Sequence, residues 1–173
     1  MTPTIRKARP EDAPAIQNLI LLYTEDGQML YRSLVEIGQN IPTFLVAEKD
    51  GLLVGTCGLK NDWHPLLEVR SLVVHPSYNR QGIGTALVKT CIEEALTATA
   101  NTLFVLTYAT DLFRKLGFQT IEKKTLPFKI WNDCQNCMHR DNCDETAMSL
   151  ALKPLKTSPL GKLTLQDTRQ VLY

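Results

Sequence analysis

The chain predicts an α+β fold: a central mixed β-sheet flanked by helices. Three observations carry this. Short apolar runs alternate with helical periodicity in the order strand–helix–helix–hairpin–strand–helix–strand–helix–strand. Lys49-Asp50-Gly51 separates two apolar runs and reads as a hairpin turn. Residues 71–87, SLVVHPSYNRQGIGTAL, read as the end of a strand, a His75-Pro76 stop, a turn and a glycine-opened helix.

Taken in order, residues 4–8 (TIRKA) form a first strand. Pro10-Glu11-Asp12 opens a helix, with proline and acids in its first turn. Ala15, Ile16, Leu19, Ile20 and Leu22 follow at helical spacing and are assigned to the core. A second short helix covers 29–37. Strands are expected at 41–48 and 52–59, joined by the hairpin, and at 66–74, with a helix over 83–97. The run LFVL at 103–106 is too continuous in apolar character for a half-exposed strand. A short helix over 110–116 ends at Gly117, 118–122 begins another strand, and 146–152 (TAMSLAL) is the last. Residues 1–152 thus read as one domain containing a cysteine loop at 129–145, followed by a tail at 153–173 punctuated by Pro154, Ser158, Pro159 and Gly161.

At 173 residues the chain is long enough to bury a substantial core. Nineteen basic and eighteen acidic residues leave no net field, which argues against capture of nucleic acid or of an anionic membrane. No stretch approaches membrane-spanning length, and Met-Thr-Pro-Thr-Ile-Arg-Lys lacks an apolar signal region. Five cysteines without such a signal favour a reduced, cytoplasmic setting over a disulfide framework.

The glycine turn carries chemistry. Unpaired N–H groups at a helix N-terminus, together with the helix dipole, attract an anion. Gly82 and Gly84 remove the side chains that would keep a diphosphate away. Candidate binding groups are Arg80, Gln81, Gly82, Ile83, Gly84 and Thr85.

The whole stretch V-V-H-P-S-Y-N-R-Q-G-I-G-T-A-L resembles the acetyl-CoA motif Q/R-x-x-G-x-G/A of the GNAT superfamily of N-acetyltransferases, with Asn79 where the family prefers Gln or Arg. Lys115-Leu116-Gly117-Phe118 is similar to the family's F-Y-E-K-L-G-F, but its Tyr, which commonly protonates the leaving thiolate, is Phe113 here. The N-acetylglutamate synthases of arginine biosynthesis also lack that Tyr. Gly27-x-x-Leu30-x-Arg32-Ser33 followed by Phe44-Leu45-Val46, Glu68 eight residues before Pro76, and the LFVLT strand at 103–107 all look like that branch. The resemblance covers about residues 4–128. It implies a GNAT fold, acetyl-CoA as cosubstrate, and transfer of acetyl to the α-amine of L-glutamate. The alternatives are another amine (an amino acid, polyamine, aminoglycoside or protein) or a non-catalytic acetyl-CoA sensor.

Roles follow for individual residues. Glu68 lies on the strand beside the cofactor and is the candidate general base, directly or through a water, with a pKa raised toward neutral by an apolar cleft. The resemblance implies that the strand around Leu72, Val73 and Val74 splays from its neighbour. Amides from Val73 to His75 would then receive the thioester carbonyl and the pantetheine. Either Thr107 or Tyr108 could protonate the thiolate, or no dedicated acid exists. A substrate with two carboxylates asks for arginine. Arg32 matches a family substrate contact, Arg70 shares the strand face of Glu68 by period two, and Arg140 is a third candidate.

Cys134-x2-Cys137-x5-Cys143 forms a zinc-like knuckle, with His139, Asp144 or Cys57 as a possible fourth ligand. The alternative is three thiols in a loop packed on the sheet. Leu163 and Leu165 alternate in the tail and could pair with an edge in a second subunit, making a homodimer possible.

Overall fold

The computed structural model describes residues 3–126, 135, 137 and 142–152. Its elements are β1 (Thr4–Lys7), α1 (Ala13–Thr24), α2 (Leu34–Gln39), β2 (Phe44–Lys49), β3 (Leu52–Trp63), β4 (Leu66–Val74), α3 (Ile83–Thr97), β5 (Thr102–Thr107), α4 (Thr110–Lys115), β6 (Gln119–Thr120) and β7 (Thr146–Ala151). The strands form one sheet in the order β1-β2-β3-β4-β5-β7-β6. Every neighbouring pair is antiparallel except β4 and β5. That single parallel pair follows from the intervening α3, because a parallel connection needs a crossover long enough to return to the same sheet end. The mixed α+β architecture agrees with the sequence.

Each face of the sheet carries its own apolar layer. On one face Leu87, Val88, Cys91 and Ile92 of α3 pack over Leu45, Val54, Leu67 and Val69. On the other, Ile16, Leu19 and Ile20 of α1 pack over Phe44, Val46 and Val73. The α1 stripe corrects one expectation: Leu22 is exposed and Ala13 is buried instead. Ala13, Ile16 and Ile20 keep three- and four-residue steps, and Leu22 falls away from that line. The second helix also starts later than expected. Ser33 Oγ accepts the Glu36 N–H at 3.1 Å, so it caps a helix that begins at Leu34. Strand β3 runs four residues past the expected end, while β6 is only two residues long. Among the described residues no helix is long and apolar enough to cross a membrane. The tail at 153–173 lies outside the described residues.

Asp12 ties the start of α1 to the sheet edge. Its Oδ2 accepts from Arg6 Nη1 at 2.7 Å and from the Arg9 N–H at 2.7 Å, while Arg6 Nε reaches Glu48 Oε2 at 3.0 Å. Hydrogen bonding from Arg6 is the largest influence on Asp12 and holds its carboxyl below the usual range; burial opposes it. The native carboxyl therefore binds its proton less tightly than the unfolded one. Its stabilising contribution is complete above the ordinary aspartate value, about pH 4, and is lost as pH falls through the depressed native value. Asp12→Asn is expected to cost about 1–2 kcal/mol at neutral pH. It should also flatten the acid limb of a melting-temperature-against-pH curve; an unchanged limb would contradict the assignment.

In the α3-side layer the Cys57 and Cys91 sulfurs lie 3.6 Å apart, both fully buried. This contact, followed by desolvation, pushes the Cys57 thiol well above its ordinary pKa. Cys57 thus sits inside the core as a packing group.

Candidate active site

Strand β4 departs from regularity twice, and both departures shape a cleft of about 320 Å³. Pairing with β5 stops after Leu66↔Thr102, Leu67↔Leu103 and Glu68↔Phe104. Beyond that point the two strands diverge, and Val69–Val74 and Val105–Thr107 line the cleft between them. On the other edge, Thr56 pairs with Val73 and Gly58 with Arg70, so Ser71 and Leu72 both lie opposite the single Cys57. That extra residue is a β-bulge, with Ser71 at φ 51°. It shifts the side-chain alternation by one. Leu67 and Val69 face α3 before the bulge; Leu72 and Val74 face it afterwards, leaving Val73 on the α1 side.

The open edge of β4 presents backbone groups to the cleft. The His75 N–H is taken by Val54 O at 2.8 Å. In an antiparallel ladder alternate residues point toward and away from the partner, so Val73 faces β3 and Val74 faces the gap. The Val74 carbonyl confirms this direction by accepting the Tyr23 hydroxyl at 2.8 Å. Of the amides expected from Val73 to His75, the geometry therefore leaves Val74 available and adds Leu72, two residues earlier.

The α1-side wall is charged and buried. Glu68 sits at the last β4–β5 pair with 8% exposure, and Arg32 and Arg70 have 7% each. All three line the cleft. Arg70 owes its position partly to Gly58 opposite: a Cβ there would come within 3.3 Å of Arg70 Cγ. Arg32 precedes α2 and reaches across to β4, where its Nε donates to Ser71 Oγ at 3.1 Å. Its Nη1 is also paired with Glu36, one turn on. Lys60 lies opposite Glu68 in the β3–β4 register, and its ammonium is ion-paired with Asp62 at 3.1 Å and sits 5.0 Å from the Trp63 ring centroid. Arg140 lies outside the described residues.

At the far end of the cleft, α3 opens with Gly82 at φ 79° and no side chain capping it. The amides of Ile83, Gly84 and Thr85 therefore lack intrahelical acceptors and point along the helix axis toward solvent. The side chains divide differently. Ile83 is core, Gly84 is buried and lines the cleft, Thr85 is half-buried, and Arg80 and Gln81 are exposed. Lys49, at the end of β2, donates to Gln81 Oε1 at 3.0 Å and lies 5.4 Å from the Tyr78 ring centroid, adding a cation beside the amides. Nothing in the sequence pattern marks Lys49, because it comes from the other side of the hairpin.

Residues 13–118 match the Acetyltransferase (GNAT) family. The chain belongs to the GNAT acetyltransferase family. It is 39% identical over 144 residues to an uncharacterized N-acetyltransferase of Chlorobaculum tepidum, covering 83% of this chain and 93% of that one. It is 33% identical over 135 residues to an amino-acid acetyltransferase of Mycobacterium tuberculosis, covering 76% of each. Among solved structures, N-acetylglutamate synthase from Neisseria gonorrhoeae, complexed with coenzyme A and N-acetyl-glutamate, superimposes with a TM-score of 0.79 at 28% identity. That match covers 88% of this chain and 36% of the Neisseria chain. As a GNAT enzyme, this protein is an acetyl-CoA-dependent N-acetyltransferase, and the amide-lined gap and the α3 N-terminus are suited to hold the cosubstrate.

The thiolate end of this GNAT cleft differs from expectation in one respect. Tyr108 is 44% exposed and its hydroxyl donates to Asp144 Oδ1 at 2.6 Å. That bond is the main reason its pKa is raised, so Tyr108 holds its proton when a general acid must release one. Thr107 is buried and lines the cleft, and its Oγ1 accepts the Ala109 N–H at 2.9 Å, a bond that does not use the hydroxyl proton. Phe113 is buried edge-to-face on Phe118, 5.1 Å between ring centroids, and supplies only packing. Cys137 and Cys143 are half-buried and line the cleft, and Lys123 Nζ fixes the Cys143 carbonyl at 2.6 Å. Cys134 and His139 lie outside the described residues. Among the described residues no three His, Cys, Asp or Glu side chains are grouped to hold a metal. The core contact of Cys57 with Cys91 removes Cys57 from the candidate zinc ligands.

Proposed function

We propose that this GNAT enzyme transfers acetyl from acetyl-CoA to the α-amine of L-glutamate, the reaction of N-acetylglutamate synthase in arginine biosynthesis. The observation that carries this reading is the acceptor wall: one buried carboxylate, Glu68, with two buried arginines, Arg32 and Arg70, in the same cleft. Two guanidinium groups match two substrate carboxylates, and Glu68, more deeply buried than the half-buried Glu145 that also lines the cleft, serves the ammonium. The structural likeness to a synthase complexed with N-acetyl-glutamate supports the same choice.

The chemistry follows in four moves. Glu68 removes a proton from the ammonium, directly or through one water, freeing the nitrogen lone pair. The amine adds to the thioester carbonyl, and the oxyanion forms where the Val74 amide can donate to it. The tetrahedral intermediate collapses, breaking the carbon–sulfur bond. The CoA thiolate leaves and takes up the proton that the adduct's positively charged nitrogen gives up on becoming an amide, relayed by water or by the Thr107 hydroxyl. In this reading residues 1–152 carry the activity and 153–173 are an appended tail.

Free-thiol release from acetyl-CoA across a panel of amines tests it. L-Glutamate should exceed L-glutamine in kcat/KM by at least about tenfold, because replacing the γ-carboxylate by an amide removes a charge-assisted bond. A higher kcat/KM for L-glutamine or for a polyamine would sink the glutamate assignment while leaving the transferase intact.

A further inference from the structure

The residue that sequence reasoning passed over is Ser71. It is a non-glycine residue at φ 51°, in the middle of a strand, at the bulge that opens the cleft. The left-handed region is disfavoured for L-residues, and such a residue persists only where its surroundings hold it there. Serine is also neither β-branched nor apolar, unlike the Leu72-Val73-Val74 run that follows it. Its hydroxyl explains the arrangement. The bulge turns the Ser71 side chain onto the α1 face, where its oxygen accepts from Arg32 Nε at 3.1 Å.

Arg32 needs such a partner. Its guanidinium is buried, its backbone carbonyl is held by Gln17 Nε2 at 3.1 Å, and its Nη1 is paired with Glu36. The Nε bond fixes the remaining rotation of the guanidinium plane. Planar, two-point recognition of a carboxylate depends on that plane, so a wrongly rotated guanidinium presents one donor where two are needed.

We infer that Ser71 is a positioning residue for acceptor specificity: it orients Arg32 to grip an acceptor carboxylate. The inference rests on the amino-acid acceptor proposed above. It assigns the bulge two separable tasks, since the backbone kink opens the gap for the cosubstrate and the hydroxyl on it sets the acceptor arginine.

Steady-state kinetics for both substrates, with melting temperatures, test this on wild type, Ser71→Ala, Ser71→Gly and Ser71→Asn. Alanine and glycine should each raise KM for L-glutamate about tenfold, the size of one lost hydrogen bond to a charged group. The loss should fall on that KM, with kcat and KM for acetyl-CoA moving far less. Glycine relieves the positive φ, so Ser71→Gly should melt above Ser71→Ala while losing as much glutamate affinity. Asparagine tolerates the left-handed region and offers a side-chain oxygen, and should recover part of the KM. Two outcomes overturn the inference: an unchanged acceptor KM in the alanine and glycine variants, or KM losses that simply track melting temperature. A wild type that ignores L-glutamate overturns the acceptor reading alone. The series is then run with the preferred carboxylate-bearing amine of the panel, whose KM must still rise in the alanine and glycine variants; a preferred acceptor with no carboxylate overturns the inference as well.

Discussion

Glu68→Gln should lower kcat for acetyl transfer by about 10²–10⁴-fold while leaving the Kd for CoA within about twofold. The amide has nearly the same shape and can sit in the same buried place at the last β4–β5 pair, so packing and the cleft survive. What it cannot do is take a proton from the ammonium. The deficit should therefore shrink as pH rises toward the pKa of the acceptor ammonium, where solvent supplies free amine without help. This pH response separates a base from a merely structural carboxylate, whose loss would persist at every pH. A variant with wild-type kcat at neutral pH would remove Glu68 from the mechanism.

The second large effect concerns the cosubstrate. Gly82→Val is expected to weaken CoA binding by about ten- to a hundredfold, measured by calorimetry or by KM for acetyl-CoA. No atom lies within 4 Å of where a Cβ would stand, so the penalty is conformational. A β-branched residue resists the φ of 79° at this position, and relaxing it turns the first amides of α3 away from a common anion. Gly82→Asn is the matched control, because asparagine enters the left-handed region at lower cost; it should bind CoA within a few-fold of wild type. If valine and asparagine weaken binding alike, bulk near the phosphate matters and the backbone argument fails.

The sequence was most legible where pattern and chemistry coincide. Residues 66–74 and 83–97 were expected as strand and helix and are β4 and α3. The glycine turn between them is readable because helix N-termini and glycines act on an anion locally. Glu68 and Arg70 fell on one strand face because they precede the bulge, where period two still holds. Past it the pattern carries a trace of the kink: Leu67 and Val69 are followed by Leu72 and Val74, a skipped step in the alternation. Noticing it would have singled out Ser71. Other features leave no such trace. The Tyr23 hydroxyl on Val74 O, the Lys49 ammonium beside Gln81 and the commitment of Tyr108 to Asp144 join residues 51, 32 and 36 positions apart. Only the folded chain brings them together. Residue type cannot convey what the fold adds at Tyr108, whose hydroxyl donates to Asp144 Oδ1 and is thereby held more firmly protonated.

The junction between the two parts of the sheet has a consequence for how the protein persists. Among the described residues, strands β1 to β4 and strands β5 to β7 share a ladder of three residue pairs, backed by the α3-side core. A molecule lying in the gap touches both sides and adds a second seam where the backbone provides none. Occupancy of the native chain then shifts the unfolding equilibrium by mass action, with each tenfold rise in free ligand above its Kd contributing about 1.4 kcal/mol. A melting temperature that rises with the concentration of free CoA is the expected result. A bound donor would bridge β4 and β5 where their backbone pairing has already stopped, beyond Glu68 and Phe104.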